Sequence, residues 1–225
     1  MQRKSKFSIG EDYHIYNRGT DKRAIFTEPH NFQRFMALLY ACNSTESVNI
    51  SDYFKKGRTF LEVFDVDRPD TLVEIGAYCL MPNHFHLLVR EKSEGGISKF
   101  MKKLSTGYSM YFNKKNERVG SLFETKFKAK HVDTDEYLKY LFAYIHLNPV
   151  KLIDAEWKEN GISNRIVAKE HLAKYTYSSY LEYLGSLRKE WKILNRTAFP
   201  EYFTDPHDFE GFIEDWVNYA SLSKK

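Results

Sequence analysis

Met81-Pro82-Asn83-His84-Phe85-His86-Leu87-Leu88-Val89 carries two patterns at once. Side chains alternate between the faces of a strand, so His84 and His86 project from one face. Phe85, Leu87 and Val89 project from the other, toward a core. The preceding Leu72-Val73-Glu74-Ile75-Gly76-Ala77-Tyr78-Cys79-Leu80 reads as a second strand, with Pro82-Asn83 as the tight connection. Together they predict an antiparallel hairpin. Two imidazoles side by side on a rigid strand make half of a metal site. An isolated His-x-His is also the mark of ordinary polar residues on a half-buried strand, and the rest of the chain has to choose.

On the N-terminal side, Tyr13 to Arg18 reads as a short strand closed by Gly19. A helix follows from Pro29, a good first-turn residue, to Cys42, with Phe32, Phe35, Met36, Leu39 and Tyr40 as its buried stripe. Residues 43–70 form a polar loop with a short irregular element. On the C-terminal side, Gly95-Gly96 breaks the chain before a basic amphipathic helix from Ile97 to Asn113. Ser121 to Val132 resembles a strand. A last helix starts at Asp133, with Asp133 and Glu136 as a capping box, and Pro149 stops it at Asn148. The order strand, helix, strand, strand, helix, strand, helix predicts an α+β fold of the ferredoxin-like kind, an antiparallel sheet with packed helices. Residues 1–155 make that domain. Residues 156–225 are aromatic-rich and read as a mainly helical C-terminal extension packed on it.

At 225 residues the chain is long enough for one large domain with a full core, and 42% hydrophobic against 28% charged residues describes a soluble globular protein. No apolar run approaches a membrane span, and Met1 to Lys6 lacks the apolar core of a signal peptide. Cys42 and Cys79 are the only cysteines, so a disulfide framework or thiolate zinc site is not expected and a reducing cytoplasm fits. The net charge of +4 is modest, but lysines crowd the middle of the chain, where Phe and Tyr are interleaved. That pattern points to a phosphate-backbone partner. A merely solvated basic face fits the charge alone equally well.

In the last helix, Tyr144 and Asn148 are four apart and share a face. Laid near the histidine strand, that face would bring Asn148 to an ion as an oxygen ligand and Tyr144 to a bound substrate. A phenol is a known covalent nucleophile, and a divalent cation on a phosphate supplies the polarisation it needs.

Three motifs occur in order: Tyr13-His14-Ile15-Tyr16-Asn17-Arg18-Gly19, Met81 to Leu87, and Tyr144-Ile145-His146-Leu147-Asn148-Pro149-Val150-Lys151. With them the chain resembles the HUH single-tyrosine transposases, especially the REP-associated tyrosine transposases and their insertion-sequence-200-like relatives. The resemblance spans roughly residues 8–155. It implies that His84 and His86 bind a divalent metal, magnesium or manganese, with Asn148 as third ligand, and that Tyr144 is the nucleophile. The implied activity is cleavage and rejoining of single-stranded, hairpin-containing DNA through a 5′-phosphotyrosine, by a monomer or homodimer in the bacterial cytoplasm and on the nucleoid. Arg18, Lys99, Lys102, Lys103, Lys126, Lys128 and Lys130 are then candidates to hold the DNA backbone. The competing reading is a non-catalytic nucleic-acid-binding module on the same fold.

Overall fold

Apolar alternation builds the sheet. In β1 (Asp12–Arg18), Tyr13 and Ile15 turn to one face, joined there by Phe85, Leu87 and Val89 of β3 (His84–Glu91). The structure, a computed structural model, describes residues 7–46 and 57–218. The Met1 to Lys6 start, the middle of the 43–70 loop and the last residues of the extension lie outside the described residues. With β2 (Val73–Met81) and β4 (Lys128–Val132), the strands form one antiparallel sheet of order β2-β3-β1-β4. Helix α1 (Pro29–Cys42) links β1 to β2, and α2 (Gly96–Lys115) links β3 to β4. This is the ferredoxin-like βαββαβ arrangement that the sequence predicts.

Helices α1 and α2 cover one face of the sheet, where Phe35, Leu39, Phe100, Leu104 and Tyr108 are almost wholly buried against Ile15, Phe85 and Leu87. Glu91 ends β3 and is itself buried; its carboxylate accepts the Ile97 amide at 2.7 Å. A negative group at the start of α2 satisfies an otherwise orphaned N–H and suits the helix dipole. Strand β2 shifts register between Ile75 and Ala77, at Gly76. A Cβ there would sit 2.9 Å from the Phe199 ring, so the close approach of the extension requires glycine at this position.

Two local expectations need correction. Helix α3 (Asp135–Leu147) is capped by Thr134, whose hydroxyl accepts the Tyr137 amide at 3.1 Å, and not by Asp133. Thr134 holds the extended backbone that an N-cap needs, one residue later than the charge pattern suggested. The strand expected over Ser121 to Val132 starts only at Lys128. Before it, the Asn17 side-chain amide donates to the carbonyls of Thr125 (2.8 Å) and Lys126 (3.1 Å), replacing a strand partner. Gly19 and Phe123 meet there in a single bridge.

The other face is covered by α3 and by the extension. Leu141 and Phe142 are buried among Leu88, Tyr183, Phe199, Phe203 and Phe209, and truncating either to alanine would cost about 2–5 kcal/mol. The extension holds α4 (Trp157–Asn160), α5 (Arg165–Lys174), α6 (Tyr180–Tyr183) and α7 (Pro206–Asn218). Between α5 and α6 it lies along the outer edge of β2: Leu80 N–H donates to the Tyr177 carbonyl and Ser179 N–H to that of Tyr78, both at 2.9 Å.

Candidate active site

Antiparallel register sets His84 opposite Arg18 and His86 opposite Tyr16, all on the sheet face that α3 crosses. The rings of His84 and His86 stand 5.0 Å apart and nearly perpendicular. Asn83 fixes the first ring. Its amide nitrogen donates to the Lys22 carbonyl at 3.1 Å, which turns its oxygen toward His84 Nδ1 at 2.6 Å. An amide oxygen only accepts, so Nδ1 carries the proton and the lone pair of His84 lies on Nε2. His86 Nδ1 is 2.8 Å from His14 Nε2, which likewise leaves His86 Nε2 directed away from that contact. His14 is buried, and the sequence reading gave it no role.

Burial keeps all three imidazoles neutral. It pushes His14 down to about 3, helped by Lys130 and Lys158, and His84 down to about 4, helped by Lys158. His86 is held well below its ordinary value, again by burial first. Neutral imidazole is the form that binds a metal.

Tyr144 projects from α3 edge-on to His86, with ring centroids 5.2 Å apart. Its phenol oxygen accepts from Lys158 Nζ at 3.2 Å. Burial pushes the phenol up to about 12, against a smaller downward effect of Asn148. One turn on, Asn148 is 1% exposed, and neither its amide oxygen nor its nitrogen has a hydrogen-bond partner among the described residues. It bears on both His84 and Tyr144 without being in hydrogen-bonding geometry with either. A buried amide left unpaired costs about 1–3 kcal/mol, and an ion or ligand between it and the histidines would relieve that cost. Two imidazole nitrogens and one amide oxygen suit a divalent cation with open positions for substrate oxygens. No group of three His, Cys, Asp or Glu placed to hold an ion occurs among the described residues, so a histidine-only or carboxylate site is not formed.

These groups open into a cleft of about 710 Å³ whose wall carries Arg18, Lys22, Lys128, Lys151 and Lys158. Glu124, also on the wall, is bonded to Arg18 at 2.5 and 2.9 Å. Of the residues singled out from the sequence, the fold therefore brings together His84, His86, Tyr144, Asn148, Arg18 and Lys128. Lys130 lies next along the same face of β4, its ammonium 4.0 Å from the Tyr137 ring centroid, and Lys126 is exposed just before the strand. Lys99, Lys102 and Lys103 ride on α2, behind the sheet. Lys99 and Lys102 are exposed there, whereas Lys103 donates to the carbonyls of Ser44 and Glu46. His131 pairs with Glu11 at 2.7 Å, and His146 is fully buried between the Phe142 carbonyl and the Ser179 hydroxyl. Tyr108 is buried in the core.

The model of the IS200-like transposases matches residues 12–148, which takes in β1, the hairpin, α3 and Asn148. The chain belongs to the IS200-like transposase family. The match ends at Asn148, so Lys158 lies beyond it. Among solved structures, a REP-associated tyrosine transposase bound to a REP hairpin is similar, at 12% identity and a TM-score of 0.46, over 89% of this chain and 88% of that one. No curated protein matches the chain. No described helix of this transposase-family chain is long and apolar enough to cross a membrane.

Beyond the residues singled out from the sequence, the site also holds His14, Lys22, Lys151 and Lys158. His14 stands in a quoted motif, and strand alternation puts it on the face of Tyr16 and Arg18. Lys151 closes the last motif. Lys158 has no motif, and no local signal could have found it.

Proposed function

We propose that this protein is a metal-dependent single-strand DNA endonuclease and strand transferase that acts on hairpin-containing DNA through a 5′-phosphotyrosine link. The observation that supports it best is the convergence of His84, His86, Asn148 and Tyr144 in one cationic cleft. His84 Nε2, His86 Nε2 and the Asn148 oxygen would hold magnesium or manganese. When bound, the ion polarises the scissile phosphate and steadies its developing charge. Arg18, Lys128 and Lys151 hold neighbouring phosphates of the strand and draw it into the cleft. Tyr144, fixed by packing on a rigid helix, directs its phenol oxygen at phosphorus. The 3′ oxygen leaves and remains as a free hydroxyl, which can later attack the tyrosine-linked phosphate, so the broken ester is stored for rejoining.

The experiment is incubation with a single-stranded hairpin substrate and manganese. Wild type should give a denaturant-resistant protein–DNA species whose nucleotide maps to Tyr144. Tyr144→Phe keeps the ring and the packing, so it should bind the hairpin normally and form no adduct. Cleavage without an adduct would favour attack by water and remove the transferase reading.

A further inference from the structure

Lys158 reaches the cleft from the extension, on a helix anchored by Trp157, which is 2% exposed in the second core. Its ammonium lies 3.2 Å from the Tyr144 oxygen and 4.3 Å from the centroid of that ring. Among the described residues it has no carboxylate within ion-pair distance. A phenol of ordinary acidity ionises unaided at pH 8 to only roughly one part in a hundred. The nucleophile therefore needs a partner that removes its proton, and the histidines stand edge-on to its ring, engaged elsewhere.

We infer that Lys158 is the catalytic residue that takes the Tyr144 proton in cleavage and returns it in rejoining, an inference that rests on Tyr144 being the nucleophile. In cleavage the neutral amine accepts the phenolic proton as the tyrosine O–P bond forms. The P–O3′ bond breaks, and the departing 3′ oxygen takes a proton from water. In rejoining, the 3′-hydroxyl gives its proton to hydroxide and attacks phosphorus. The Lys158 ammonium then hands its proton to the leaving tyrosine oxygen.

The surroundings suit that exchange. Burial pushes Lys158 down to about 8, and Lys151 from the adjoining turn adds to it. Glu159 on its own helix and Cys79 from β2 oppose the shift without cancelling it. From β1 and β3, His14, His84 and His86 face it as neutral rings, with pKa values far below that of the lysine. Cys79 is kept a thiol by its burial. A base that titrates near working pH is the efficient kind.

The test measures the rate of adduct formation with hairpin DNA and manganese from about pH 6 to about pH 9.5 for wild type, Lys158→Met and Lys158→Arg. The wild-type rate should rise with pH and level off near 8. Lys158→Met should be at least about 100-fold slower and lose that limb. Lys158→Arg keeps the charge but surrenders no proton, so it should stay as slow. Hairpin binding by each variant checks its fold. Rescue by arginine, or an unchanged rate in Lys158→Met, would overturn the inference while an adduct on Tyr144 still stood. A flat wild-type profile across this range would overturn it even if both variants misfolded. A wild type whose adduct maps elsewhere, or that forms none, ends the tyrosine reading and this inference with it.

Discussion

His84 and His86 differ in what holds them. Asn83, the residue before His84, orients that ring, while a residue 72 positions earlier holds His86. Removing either proposed ligand should abolish adduct formation: His84→Ala and His86→Ala are expected to stay folded, and full activity in the double variant with excess manganese would refute the assignment. His14→Leu tests the support behind His86. For His86 to offer Nε2, its Nδ1 proton must be donated to His14, and losing such a partner typically weakens metal binding by about 10–100-fold. Titration of manganese followed by calorimetry would read the loss; an unaltered affinity would reduce His14 to packing. The sequence put forward His84, His86, Tyr144 and Asn148 because each pair lies within one strand or one helical turn and each stands in a motif that carries the family resemblance. His14 and Lys158 depend on which strands become neighbours and where a distant helix lands, and no local spacing encodes either.

At the level of elements, the sheet and both covering helices were legible because apolar period and breakers agree there. Strand β4 was not, since its first half borrows hydrogen bonds from the Asn17 side chain. The same gap separates the lysines. Charge density alone made α2 and β4 equal candidates for DNA, yet α2 lies on the face away from the histidines, whereas Lys128 of β4 lines their cleft. Replacing Lys128 and Lys130 by alanine should weaken single-strand binding and lower the slope of log affinity against log salt by about 0.7 for each lost phosphate contact. Replacing Lys99 and Lys102 should leave both unchanged. Fluorescence anisotropy with a labelled strand at several salt concentrations distinguishes the two, and equal losses would mean that DNA wraps both faces.

Across the whole molecule, the extension is bound into the fold by buried polar contacts as well as aromatic packing. Tyr78 of β2 donates to Glu182, and Arg188 meets the same carboxylate at 2.7 Å, with Glu182 almost fully buried. Arg188→Met strands that charge and should cost about 3–5 kcal/mol in urea unfolding; a loss below 1 kcal/mol would show that water reaches Glu182. His146 joins α3 to Ser179, and burial pushes it down to about 3 from its ordinary 6.5. The unfolded chain thus takes up that proton first as pH falls, so stability should decline from about pH 6.5 toward 3. His146→Gln should flatten part of the decline in urea midpoint. The extension also closes the outer edge of β2, whereas no described strand pairs with the outer edge of β4. Unpaired edges invite strand addition and aggregation, and charged side chains are the usual guard against it. Lys128 and Lys130 stand on that open edge. The lysines proposed to grip DNA would thus also guard one molecule against stacking on the next, and a variant stripped of them should precipitate more readily than one stripped of Lys99 and Lys102.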